Sequence, residues 1–187
     1  MKSRARLVLI VAVLLLLAFG ADQWRRAHLE SSQDRNILAA ARQHGLDPAL
    51  LKAVVWRESR FDPRAGGSKG EVGLMQIMEN TGREWAGAQH VPLFTKFALL
   101  DPAKNLDCGA WYLRKALARY PQTDNPVPYA LAEYNAGRSK VLKWMGGEAA
   151  TNSAAFVGQI GFPATRDYVR SIERRREKYA AQFQGQR

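Results

Sequence analysis

Hydrophobic and polar positions divide the chain into an apolar leader and a series of segments with helical periodicity. Residues 7–21 carry no charge and are mostly Leu, Val, Ile and Ala, behind a short head that holds Lys2, Arg4 and Arg6. That is the layout of an export signal. As a helix the run rises roughly 22 Å, against roughly 30 Å of hydrocarbon in a bilayer, so a cleaved signal and an uncleaved anchor are both compatible with it. Ala18-Phe19-Gly20 offers a small-x-small cleavage site, and no lipidation cysteine follows it. Retention as an anchor is the favoured expectation, with the basic head inside and the remaining chain outside the inner membrane. Residues 1–21 are thus read as signal or anchor, residues 22–31 as a polar tether, and residues 32–187 as one folded domain.

Within that domain Ser32 reads as a cap, and Ile37, Leu38 and Ala41 mark a helix that Gly45 ends. Asp47-Pro48 supplies a cap and a first-turn proline for the next helix, which closes near Glu58-Ser59. Residues 62–72 are rich in Gly and Pro and predict a loop. Asp101-Pro102 repeats the start signal, and Leu106, Ala110, Leu113, Leu117 and Tyr120 keep helical spacing until Pro121. Residues 128–136 predict a shorter helix stopped by Gly137. Thr165 opens a last one carrying Tyr168, Val169, Ile172, Tyr179 and Phe183. Alternating strand patterns are essentially lacking, so the expected fold is all-α or nearly so, with one core and a groove between helices.

A chain of 187 residues suits one well-buried domain better than two. Its formal charge is +11, and +8 once Lys2, Arg4 and Arg6 are set aside with the leader. Outside the inner membrane the anions to meet such a surface are wall polymers, phospholipid headgroups and lipopolysaccharide, so nucleic acid is not expected as a partner. The Arg174-Arg175-Arg176 cluster reads as a solvated helix face. Cys108 is the only cysteine, which excludes an intramolecular disulfide. His28, His44 and His90 lack ligand spacing, and there is neither a phosphate loop nor a G-x-S-x-G elbow, so no metal and no cofactor is expected. The chemistry falls to carboxylates, hydroxyls and amides, in a protein expected to be a monomer.

Glu58 is the leading candidate. Leu51, Val54, Val55 and Glu58 fall at i, i+3, i+4 and i+7, which places a carboxylate on the stripe that faces the core. Burial disfavours the charged form and raises a carboxyl pKa, the condition for a general acid near neutral pH. Taken alone, a glutamate near a helix end is more often a surface residue. Other segments reverse that preference. Gly73-Leu74-Met75-Gln76-Ile77 begins fifteen residues after Glu58, and Ala132-Glu133-Tyr134-Asn135-Ala136-Gly137 follows further on.

Together these residues resemble the catalytic domain of the soluble-lytic-transglycosylase family, related to goose-type lysozyme. The resemblance spans about residues 49–169. It rests on Glu58-Ser59, Phe61 and Pro63, Gly70, residues 73–78 with Thr81, Asp101-Pro102 with Asn105, Gly109, Tyr112 and Leu113, residues 134–137, and Phe162-Pro163 with Thr165-Arg166 and Tyr168-Val169. Each piece alone is weak; their shared order is not. The resemblance implies a lysozyme-like helical domain that cleaves the β-1,4 bond between N-acetylmuramic acid and N-acetylglucosamine in peptidoglycan, leaving 1,6-anhydromuramoyl ends. Glu58 would act as acid and then as base, while Ser68, Met75, Gln76, Tyr134, Asn135 and Tyr168 would line the substrate groove. For Met75 and Tyr134 a core role competes with substrate contact.

The chain departs from the family pattern in four places. The family serine nine residues after the acid is Gly67 here, with Ser68 beside it; Glu79 replaces the proline after Met75-Gln76-Ile77-Met78; and Glu71 and Glu133 stand where small residues are frequent. Glu71 matters most, because a second carboxylate near Glu58 would raise the acid's pKa or order a water. Paired carboxylates of the usual hydrolase type are otherwise represented only by Asp62, Glu71 and Glu79. A hydrolytic muramidase and a noncatalytic peptidoglycan-binding scaffold are the competing readings.

Overall fold

The computed structural model describes residues 2–184, and among these no β-strand forms. The helices are α1 (Lys2–Ser32), α2 (Asp34–His44), α3 (Pro48–Ser59), α4 (Glu79–Ala88), α5 (Pro102–Leu117), α6 (Val127–Ala136), α7 (Arg138–Trp144), α8 (Ser153–Gln159) and α9 (Pro163–Ala180). Short 3-10 turns lie at Lys96–Leu100, Gly147–Ala150 and Ala181–Phe183.

The predicted caps are where elementary chemistry puts them. Asp47 accepts a hydrogen bond from the Ala49 amide (3.0 Å) and Asp101 one from the Lys104 amide (2.9 Å), each ahead of a first-turn proline. Gly45 ends α2 at φ 62°, a conformation that suits glycine. α9 begins at Pro163, two residues before Thr165, because its first turn has no amide to lose there.

Residues 22–31 are helical and continue α1 instead of forming a separate tether. No Gly or Pro interrupts them, and Trp24 stacks on His28 one turn away at 5.5 Å. Ser32 does not cap α2. Its hydroxyl donates back to the Leu29 carbonyl at 2.8 Å, within α1. The end of α1 is tied to α9 by Tyr179, whose hydroxyl donates to Glu30 at 2.7 Å. The N-terminal part of α1 is long and apolar enough to cross a membrane, and the rest of the chain buries none of its apolar window.

α3 is the central element. Residues 48–55 are all buried, and α9 packs along them while α2 lies across α5. Such a helix is apolar nearly all round because neighbours cover every side. Lys52 sits inside with Asp34 (2.6 Å) and Gln182 (2.8 Å) as partners. α4 is amphipathic, with Gly82, Trp85 and Ala86 on its buried face, whereas α7 and α8 are only seven residues long and form through packing. Gly82 of α4 leaves room for the Phe94 ring, Trp85 of α4 is buried, and Phe156 of α8 stacks on Tyr129 at 4.0 Å.

Candidate active site

Glu58 ends α3 at the point where the chain turns sharply. Arg60 and Phe61 both take left-handed backbone conformations, φ 53° and 67°, which is uncommon for residues with side chains. Burial of the Phe61 ring stabilises this turn, and the Arg60 guanidinium lies 3.7 Å from the centre of the Trp56 ring. The half-buried Glu58 carboxyl faces Tyr168 of α9, whose hydroxyl donates to Oε1 at 2.5 Å. Burial pushes the Glu58 carboxyl up to about 7. The Tyr168 hydrogen bond and the Arg57 charge act against that rise, and the Glu71 charge adds to it. Glu58 is therefore partly protonated near neutral pH, as a proton donor must be.

The segment after the loop is built around Asn105, which is fully buried on α5. Its Oδ1 accepts the Met75 amide, and its Nδ2 donates to the Val72 and Leu99 carbonyls, all at 2.8 Å. Gly73 (φ 76°) is pressed so close that a Cβ there would come within 2.9 Å of the Leu99 carbonyl oxygen. One buried amide thus fixes the turn over residues 72–77, where Val72 and Ile77 form an isolated bridge. Gln76 is held at φ 48° in that turn. Its Nε2 donates to the Ala65 and Gly73 carbonyls at 3.0 Å each, so Oε1 is the group it can offer a ligand.

The residues expected to contact substrate divide into three groups. Gln76 and Asn135 are accessible polar groups; the Asn135 Oδ1 accepts from Thr165 at 2.8 Å, which leaves its amide N–H donors as the available function. Tyr168 and Tyr134 act on their neighbours. Tyr168 orients the acid, and Tyr134 donates to the Met75 carbonyl at 2.8 Å while packing edge-on against Tyr112. Met75 is fully buried, with its side chain against Gly109, the placement of a core residue. Ser68 is exposed on the loop, whereas Gly67 is the residue beside Glu71 and Gln76.

One feature has no local signal in the sequence: the Asn105 clamp joins groups up to 33 residues apart. Glu133, singled out for its unusual place, is only 1 % exposed and pairs with Arg119, with the Tyr120 hydroxyl donating to it at 2.5 Å. It is a structural ion pair. A cavity of about 490 Å³ lies elsewhere, between α1, α3 and α9, lined by Arg25, Leu29, Trp56, Arg60 and Arg175 among others.

The chain is 34% identical over 122 residues to the soluble lytic murein transglycosylase of Escherichia coli K12, covering 64% of this chain and 18% of that protein. It is 35% identical over 112 residues to a membrane-bound lytic murein transglycosylase C of Actinobacillus succinogenes, covering 56% of this chain and 31% of the relative. Among solved structures it resembles an inactive glutamate-to-glutamine mutant of the lytic transglycosylase Slt of Pseudomonas aeruginosa, with TM-score 0.73, 26% identity, and 80% and 24% of the two chains covered. The 70-kDa soluble lytic transglycosylase in complex with bulgecin A gives TM-score 0.71 at 27% identity, covering 81% and 24%. The chain therefore spans between about a fifth and a third of the length of these relatives. The family model for the transglycosylase SLT domain matches residues 35–157, which takes in α2 and stops before α9. Covering well over half of the chain and joining Glu58 to the Asn105-clamped turn and the Tyr134-Asn135 pair, that match places the protein in the transglycosylase SLT domain family.

Proposed function

We propose that the protein cleaves the β-1,4 bond between N-acetylmuramic acid and N-acetylglucosamine in peptidoglycan without water, leaving 1,6-anhydromuramoyl ends. The observation that carries this reading is a carboxyl group raised to about 7 by burial and held by Tyr168. In the first step the protonated Glu58 donates its proton to the glycosidic oxygen as the bond to C1 of the muramoyl residue breaks. The acetamido group of that residue stabilises the positive C1 centre. In the second step the Glu58 carboxylate removes the proton from the C6 hydroxyl, O6 bonds to C1, and Glu58 ends protonated as it began. One carboxyl serves both steps, and the pKa midway between donor and acceptor suits both roles.

The exposed apolar leader and the membrane-bound relative support a protein anchored in the inner membrane with its domain on the wall side. Glycan strands are then the partner. Mass spectrometry of purified wall material tests the reaction, since anhydro products are lighter than hydrolysis products by one water. Anhydro ends with wild type and cleavage slowed about 10³-fold with Glu58→Gln are the expected pair of results. Reducing ends would establish a muramidase instead, and cleavage by the Gln variant at the wild-type rate would overturn the assignment of Glu58.

A further inference from the structure

The loop before the Asn105-clamped turn carries a second carboxylate in an unusual setting. Glu71 folds back over Gly67, held by the Lys69 amide, which donates to its Oε2 at 2.9 Å, while the Gly67 amide donates to the Glu71 carbonyl at 2.9 Å. A Cβ on residue 67 would collide with the Glu71 carboxylate, its Cδ lying at 2.7 Å, and would approach Gln76 Oε1 to 2.9 Å. The lack of a side chain at 67 and the position of Glu71 are therefore one structural fact. Glu71 fills the space that a serine at position 67 would occupy.

The chemistry of that notch is specific. Gln76 has both amide hydrogens bonded to backbone carbonyls, so it faces residue 67 with an acceptor oxygen. Glu71 brings a second acceptor. Hydrogen bonds from its own amide and the Lys69 amide, with the charges of Lys69 and Lys96, hold the Glu71 carboxyl below the usual carboxylate range, so it is ionised at neutral pH. Two acceptors around one point repel each other unless a donor lies between them. Its charge also reaches Glu58, whose other charged and titratable neighbours are Arg57 on α3, Tyr168 on α9 and Tyr134 on α6.

We infer that Glu71 replaces the missing side chain at position 67 as a substrate-binding group, forming with Gln76 Oε1 an acceptor pair for an N–H or O–H donor of the sugar beside the scissile bond. The identity of that ligand rests on the function proposed above. A neutral serine hydroxyl would offer both donor and acceptor there; this chain offers acceptors and a negative charge. The sugar must then supply the hydrogens, which an acetamido N–H or a ring hydroxyl does.

The experiment compares wild type with Glu71→Ala, Glu71→Gln, Gly67→Ser and the double variant Gly67→Ser/Glu71→Ala on purified peptidoglycan, with thermal melts to establish that each is folded. Gly67 is not among the left-handed glycines, so serine meets no backbone barrier at that position. Glu71→Ala should raise KM about tenfold, the scale of a lost charge-assisted hydrogen bond. It should also move the alkaline limb of the kcat/KM profile to lower pH, because a charge that raises the Glu58 pKa has been removed, and Glu71→Gln should move that limb likewise. Gly67→Ser alone should be impaired by displacing Glu71, whereas the double variant should be more active than Gly67→Ser. Recovery of that kind arises only when two side chains compete for one space. Additive losses in the double variant, or a Glu71→Ala variant with wild-type KM and pH profile, would overturn the inference. Product type is read in the same assay: reducing ends from wild type would refute the proposed reaction while leaving the recovery test of the notch intact.

Discussion

Glu58 and Glu133 are both acids drawn into the interior of one helical domain, and their surroundings give them opposite uses. Glu133, on α6, is the more deeply buried, yet one oxygen meets the Arg119 guanidinium and the other accepts from Tyr120. Both oxygens are thus partnered within the protein, which makes Glu133 part of a structural network. Glu58 is only half-buried, and Tyr168 supplies its hydrogen bond without supplying a positive charge. Arg57 acts from further away and does not cancel the cost of desolvation, which remains the largest influence on the carboxyl. Depth of burial therefore does not mark a catalytic acid. Under the function proposed above, the mark is a carboxyl whose desolvation is incompletely compensated.

The sharpest way to break this contrast is to neutralise each acid. Glu58→Gln keeps the shape and should lower kcat by about 10³-fold, within the range for a lost general acid, measured by product release from wall material. Glu133→Ala should leave activity per folded molecule near wild type but destabilise the domain by about 3 kcal/mol, because Arg119 loses its partner; urea unfolding reads this. Wild-type activity with reduced stability for Glu58→Gln, or the reverse pattern for Glu133→Ala, would exchange the roles assigned to them.

The pH dependence of stability sharpens the comparison. The Glu58 carboxyl, with an ordinary pKa of 4.5, is pushed up to about 7 in the folded protein. Its protonated form therefore stabilises the fold at low pH, and that contribution declines as pH rises from 4.5 through about 7. Glu58→Gln removes the decline. The variant should gain about 2 kcal/mol relative to wild type between pH 4 and pH 8, once solvent access to the half-buried group is allowed for. Equal stability curves would show that the carboxyl is not desolvated in solution.

The smallest effect concerns Tyr168. Its hydrogen bond lowers the Glu58 pKa, so Tyr168→Phe should move the alkaline limb of kcat/KM upward in pH. Loss of orientation should cost about tenfold in kcat/KM. An unshifted limb would remove Tyr168 from the machinery.

Much of the scaffold was legible because its signals are local. Asp47-Pro48 and Asp101-Pro102 open helices and Gly45 closes one, since capping needs only neighbours two or three residues away. The spacing of Leu51, Val54, Val55 and Glu58 put the acid on a buried stripe for the same reason. Residues 22–31 extend α1 because a helix without Gly or Pro continues whether or not it is covered, which their polarity alone does not reveal. α4 has an amphipathic period of its own, with Gly82, Trp85 and Ala86 on its buried face, but no capping side chain marks its start.

The amino-acid sequence by itself determined an all-helical chain with an apolar leader and a single well-placed acid, and its motifs carried the family resemblance. Only the tertiary structure decided which polar residues face one another: Tyr168 on Glu58, Asn105 beneath the Met75 turn, Arg119 on Glu133, and Glu71 in the space above Gly67. Helix period and caps depend on contacts within a turn or two. Whether a buried carboxyl is compensated depends on groups brought from 13 to 110 residues away, and no local pattern encodes that meeting.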